Sequence, residues 1–126
     1  MTRSQTMFIK DTMPGLNDYS DAERKHRQVA ATMKRTQTER VAWVAKTQLT
    51  PFNGPIALNF TYKEKNRKRD KDNIAFAKKF ILDGLVMAGI IPNDTWAWID
   101  SWTESFVVDA ADPGITVTIY QVGGKK

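Results

Sequence analysis

Residues 56–94 read IALNFTYKEKNRKRDKDNIAFAKKFILDGLVMAGIIPND, and they change character twice. Ile56–Lys63 alternates apolar and polar side chains with period two, the mark of a half-buried strand. From Asn73 the apolar positions recur at helical spacing instead. With Asp72 at the origin of a helical wheel, Ile74, Ala77, Ile81, Leu85 and Ala88 fall at about 140–220°, one core-facing stripe. Gly89 and Pro92 stop this helix, the first as a C-terminal cap and the second because it cannot continue the hydrogen-bond ladder. Between strand and helix lies 63–71, a loop with six basic residues among nine.

The flanks complete the pattern. Thr6–Lys10 reads as a short strand with Phe8 and Ile9 as core candidates, and Pro14-Gly15 marks a loop over 11–17. Residues 18–48 read as a long helix that Asn17 or Ser20 could cap, with a break near 36–38 left open. Ala22, Val29, Met33, Thr36, Trp43 and Val44 form its expected apolar stripe, and Arg24, Arg27, Lys34 and Arg35 its basic face. Trp98–Asp109 and Ile115–Val122 are rich in β-formers, and the turn Asp112-Pro113-Gly114 predicts that they pair antiparallel. The order β-α-β-α-β-β predicts an α+β fold. We expect one domain over residues 1–126: a mixed or antiparallel sheet with two main helices packed on it and a short flexible tail at about 122–126.

Composition narrows the chemistry. The chain has 126 residues, 41% of them hydrophobic, enough for a core of its own. It has no cysteine and one histidine, His26. Thiol nucleophiles, disulfide scaffolds and cysteine-zinc sites are therefore excluded, and a multi-histidine metal site is disfavoured. No apolar run is long enough for a membrane helix and the N-terminal residues lack a secretory h-region, so the expected compartment is the cytoplasm, with no membrane partner. Net charge is +5, unevenly spread: 17 basic and 8 acidic side chains over 1–79, against 2 and 6 over 80–126. A basic surface of this kind attracts polyanions by neutralising phosphates.

The chemistry-bearing segment is Asp70-Lys71-Asp72-Asn73. In an extended segment residues two apart point the same way, so both carboxylates would converge on one site. Converging carboxylates repel unless a cation lies between them, and hard oxygen ligands suit Mg²⁺, with Mn²⁺ as the alternative. The bland reading makes one aspartate a helix cap amid solvated loop. On the wheel Lys79 shares the Asp72 face, where it could stabilise charge on a phosphate or simply pair with Asp83. Lys78 falls near the core edge and is expected to snorkel to solvent. Asp94 is a third candidate acid, with Asp100 and Glu104 as competitors. Trp96, Trp98 and Trp102 could stack on unpaired bases or fill a core or subunit interface.

Lys68–Asn73 (KRDKDN), then Ile81–Leu85 (ILDGL) and Ala88–Asp94 (AGIIPND), resemble the RusA family of Holliday-junction resolvases, above all its phage and prophage members. Pro14-Gly15-Leu16-Asn17 followed by a basic helix is also similar to that family, so the likeness spans roughly Phe8 to Ile119. The resemblance implies an α+β homodimer in a bacterial cell or phage-infected host. It would nick four-way DNA symmetrically in recombination and repair, using a divalent metal. The acidic triad of the family maps onto Asp70, Asp72 and Asp94, and its helix lysine onto Lys79 when counted back from Asp83. The stretch before Ile81 is longer here than in the best-known branch, and another placement of the gap gives the role to Lys78.

The resulting expectation is a Mg²⁺-dependent crossover-junction endodeoxyribonuclease. Asp70, Asp72 and Asp94 hold metal, and Lys79 stabilises charge. Asn17, Arg24, Arg27, Lys34, Arg35, Arg67, Lys68, Arg69 and Lys71 contact DNA. The competing expectation is a non-catalytic basic DNA-binding module. A small phosphorylated substrate is disfavoured, because no glycine-rich phosphate loop is present.

Overall fold

The computed structural model describes residues 3–122. Eight elements follow one another: β1 (Ser4–Lys10), α1 (Leu16–Lys25), α2 (Arg27–Gln48), β2 (Ile56–Glu64), α3 (Lys71–Ala75), α4 (Ala77–Met87), β3 (Ile99–Val108) and β4 (Gly114–Gln121). They form one α+β domain around a four-stranded mixed sheet of order β1-β4-β2-β3. All but Val122 of the expected tail lies outside the described residues. No helix among the described residues is long and apolar enough to cross a membrane.

The last two strands do not pair with each other. β3 runs parallel to β2, whereas β4 pairs antiparallel with both β2 and β1. The reason is the helical crossover. Parallel neighbours need a crossover, and the two helices after β2 return the chain to the Ile56 end before β3 begins. β3 is then held along the whole of β2, from the Ile56 N–H on the Trp98 carbonyl to the Asp109 N–H on the Glu64 carbonyl. The Asp112-Pro113-Gly114 turn carries the chain past the end of β2 rather than closing a hairpin.

One face of the sheet is core: Met7 and Ile9, Ile56, Leu58, Phe60 and Tyr62, and Ile115, Val117 and Ile119 are all buried. Period two thus buries Met7 rather than the expected Phe8. Phe8 lies on the other face, beneath the Lys63 ammonium at 5.0 Å. That other face is polar, with Thr6 opposite Thr118, Asn59 donating to Thr103 and Thr61 beside Ser105.

The long N-terminal helix breaks at His26, not near 36–38. His26 is extended (φ −171°, ψ 138°), and its Nδ1 accepts the Gln28 N–H to cap α2. The buried face of α2 is Ala30, Thr38, Val41, Ala42 and Ala45. Val29 and Trp43, expected in the apolar stripe, are 46% and 72% exposed. Small residues win because α2 lies tight against α4. A Cβ on Gly84 of α4 would sit 2.4 Å from Val41 Cγ1. The second helix is also in two pieces, separated at Phe76, where the Lys79 N–H bonds to the Phe76 carbonyl in a tighter turn. Gly89 closes it at φ +75°, as expected of a glycine cap.

Candidate nucleic-acid and metal site

β2 delivers the site. Its buried alternation continues one step past Tyr62 to Glu64, an acid 9% exposed. Arg69 answers it with a fork, Nε to Oε1 at 3.0 Å and Nη2 to Oε2 at 2.8 Å, while its Nη1 donates to the Met13 carbonyl at 3.0 Å. This partly buried pair pins the basic loop back onto the 11–17 loop. Arg69, expected on DNA, is therefore spent inside the fold. Asn73 makes the second link: its Oδ1 accepts the Asn17 N–H at 2.9 Å, at the first turn of α1. Gly15 allows this approach, since a Cβ there would lie 2.3 Å from Asn73 Oδ1. Asn17 thus meets the site through its backbone. Sequence reasoning passed over Glu64, although an inward charge continuing a period-two apolar run, with an arginine five residues on, was visible.

Around this clasp the remaining charges stay open. Asp70 stands at the N-cap position of α3 (φ −70°, ψ 154°), and its carboxylate caps nothing. It borders a groove of about 430 Å³ with Arg67, Lys71, Ile74 and Phe106–Val108. Asp72 accepts only its neighbouring Asn73 N–H, at 2.9 Å. It borders a second depression of about 610 Å³ with Phe76, Lys78, Lys79, Glu104 and Phe106. Both hollows share Lys71 and Phe106, with the Lys71 ammonium 5.5 Å from the Phe106 ring centre. An extended 70–72 segment would point both carboxylates the same way. The helix begins at Lys71, so the two acids open onto adjoining hollows instead.

The two lysines are used differently. Lys78, expected to snorkel outward, donates to Glu104 Oε2 at 2.9 Å with both side chains about four-fifths covered, and lies under the Trp102 ring at 5.0 Å. The Tyr62 hydroxyl donates to the same oxygen at 2.9 Å. Burial first, and this bond second, push the Tyr62 pKa far above its ordinary value of 10.0. Lys79 is half-exposed and meets Asp83 at a loose 3.4 Å.

Asp94 is not with the other two. It follows α4 at the Ile56 end of the sheet, where Ile90 accepts the Phe52 N–H, whereas Asp70 lies beyond the Glu64 end. The nine residues of β2 run between those two ends, about 3.3 Å per residue along the strand. Among the described residues, no three His, Cys, Asp or Glu side chains are grouped to hold a metal. Of the competing acids, Glu104 reaches the site and is taken by Lys78. Arg67 and Lys71 line the groove and are exposed, and Lys68 is exposed on the same loop. Arg24 pairs with Asp21 at 2.8 Å on α1, while Arg27, Lys34 and Arg35 are exposed on α2, so the kink at His26 divides the expected basic face. Trp96 is 99% exposed and Trp102 44%, which removes both from the core.

Neither a protein-family model nor a curated protein matches the chain.

Proposed function

We propose that the protein is a divalent-metal-dependent endonuclease for branched DNA, akin to the RusA resolvases that its D-x-D-N segment resembles. One observation carries the reading. Among the described residues Asp70 and Asp72 have no ion-pair partner in a loop crowded with cations, while Glu64, Glu104 and Asp83 each have one. Acids kept unneutralised among arginines and lysines suit a doubly charged ion that also meets phosphate. Two exposed carboxylates fit Mg²⁺ or Mn²⁺, which retain several waters. The ion, when bound, supplies Lewis acidity at the phosphate and a more acidic water.

The chain's own residues do the rest. Arg67, Lys68 and Lys71 bind backbone phosphates, positioning DNA without reading its sequence. Lys79, loosely held by Asp83, is the cation able to shift onto a phosphate oxygen that gains charge. Lys78, fixed by Glu104 and the Trp102 ring, shapes the wall of the Asp72 hollow. The remoteness of Asp94 favours the second reading, a binding module without catalysis, if one copy acts alone.

The test is a synthetic four-way junction incubated with the protein in Mg²⁺ or in EDTA, beside linear duplex of the same sequence, and read on a denaturing gel. Paired nicks in the junction with Mg²⁺ only are expected. Equal junction binding in both buffers with no nicking overturns the enzyme and leaves the binding module.

A further inference from the structure

We propose that Tyr19 is a positioning residue: through Phe76 it makes α1 the support that holds the Asp72 carboxylate in place. What Asp72 does rests on the nuclease reading; that α1 holds it does not.

α1 contributes little to the core. Across its ten residues it buries Ala22 alone, and Leu16, Asn17 and Asp18 of its first turn are exposed. A helix that buries one methyl group is stabilised little by packing. Its first turn is spent on α3 instead. The Asn17 N–H donates to Asn73 Oδ1 at 2.9 Å, and Gly15 lies so close that a Cβ there would be 2.7 Å from the Asn73 carbonyl oxygen. Two residues on, the Tyr19 ring meets the Phe76 ring with 5.4 Å between centres, tilted by 38°. Asn73 and Phe76 are three residues apart, neighbours on one helical face, so the start of α1 meets both.

Asp72 belongs to that contact. Its carboxylate accepts the Asn73 N–H at 2.9 Å, and it shares its hollow with Phe76. The segment that carries it needs outside support. α3 is five residues long and ends at Phe76, where the Lys79 N–H on the Phe76 carbonyl makes the tighter turn into α4. Five residues do not hold a helix by themselves, because nucleation costs more than so few hydrogen bonds contribute. α3 therefore takes its orientation from what packs on it. The buried Ile74 ties it to the core, and the Phe80 ring of α4 meets Phe76 edge-on at 5.5 Å. Asn17 and Tyr19 add the hold from α1. A carboxylate that works on a metal must stay within about 0.5 Å of its productive place, and the residues that lock its backbone set that precision.

Tyr19→Ala removes the ring and Tyr19→Phe keeps it. Hydrogen exchange, read by mass spectrometry on the peptide spanning 72–76, should speed up in Tyr19→Ala and stay unchanged in Tyr19→Phe. Nicking of the four-way junction in a single turnover at saturating protein should slow about 10–100-fold in Tyr19→Ala, approaching the cost of a misplacement of about 1 Å, and stay near the unmodified rate in Tyr19→Phe. Junction affinity in EDTA should hold in both, since Arg67, Lys68 and Lys71 are untouched. Because Tyr19 acts through Phe76, Tyr19→Ala combined with Phe76→Ala should be no slower than Phe76→Ala alone. Unchanged exchange in Tyr19→Ala overturns the hold by α1. Faster exchange with an unchanged single-turnover rate, or a Tyr19→Phe protein as slow as Tyr19→Ala, overturns the positioning role, and a double variant slower than Phe76→Ala overturns the route through Phe76. An unmodified chain that nicks no junction overturns the nuclease reading, and the exchange comparison then still decides whether α1 holds the Asp72 segment.

Discussion

Within the dozen residues after Tyr62 the fold treats like charges in opposite ways. Glu64 and Arg69 form a forked, largely covered pair, and Asn73 locks onto the first turn of α1. Arg67, Asp70, Lys71 and Asp72, interleaved with them, are exposed, and none enters an ion pair among the described residues. The first set holds the loop in one shape; the second is displayed on it. Exposed carboxylates can be presented only if something else bears the cost of ordering the chain, and the buried partners do so. Glu104, Lys78 and Tyr62 repeat the held arrangement on the far side of Asp72.

Unfolding measurements should separate the two sets. Glu64→Ala leaves the Arg69 guanidinium partly buried and unpaired. It should cost about 2–3 kcal/mol in denaturant melts, below the cost of a fully buried break because water reaches Arg69. A loss under half a kcal/mol would mean that the clasp does not order the loop.

Tyr62→Phe should cost about 1.5 kcal/mol at neutral pH, one hydrogen bond to a charged acceptor. The sign with pH follows from the raised pKa. The native state keeps its proton where the unfolded chain releases it near 10.0, so the contribution is complete below pH 10 and is lost above it as pH rises. The unmodified protein should therefore lose stability above pH 10 more steeply than Tyr62→Phe. Equal slopes would break the assignment of Tyr62 to the held set.

The smallest stability effect is expected at Asp70→Asn, within about 0.5 kcal/mol, since an exposed side chain without a partner is replaced by an isostere. Junction nicking should nevertheless vanish and junction binding hold or tighten, because one repulsive charge is gone. Lost binding in a folded Asp70→Asn protein would return that aspartate to a structural role.

The segment 56–94 was legible because its signals are local. Strand alternation, the Ile74–Leu85 stripe and the Gly89 stop all appear where periodicity puts them, give or take the break at Phe76. The basic loop and the paired aspartates were equally plain. The α2 core face was misjudged because Val29 and Trp43 are the larger apolar residues, whereas the neighbouring helix selects for small ones. Arg69 looked like another DNA contact until Glu64 claimed it from the buried side of β2.

Sequence alone determined the element types, the α+β class, the separation of charge along the chain and the identity of the exposed acids, because each depends on neighbours a few residues away. Tertiary structure alone decided that β3 lies parallel beside β2, that Lys78 turns inward to Glu104, and that Asp94 and Asp70 follow opposite ends of the sheet. Those outcomes depend on which distant partner wins a strand edge or a buried charge. That competition is settled between segments far apart in the chain, and no window of the sequence contains both contestants.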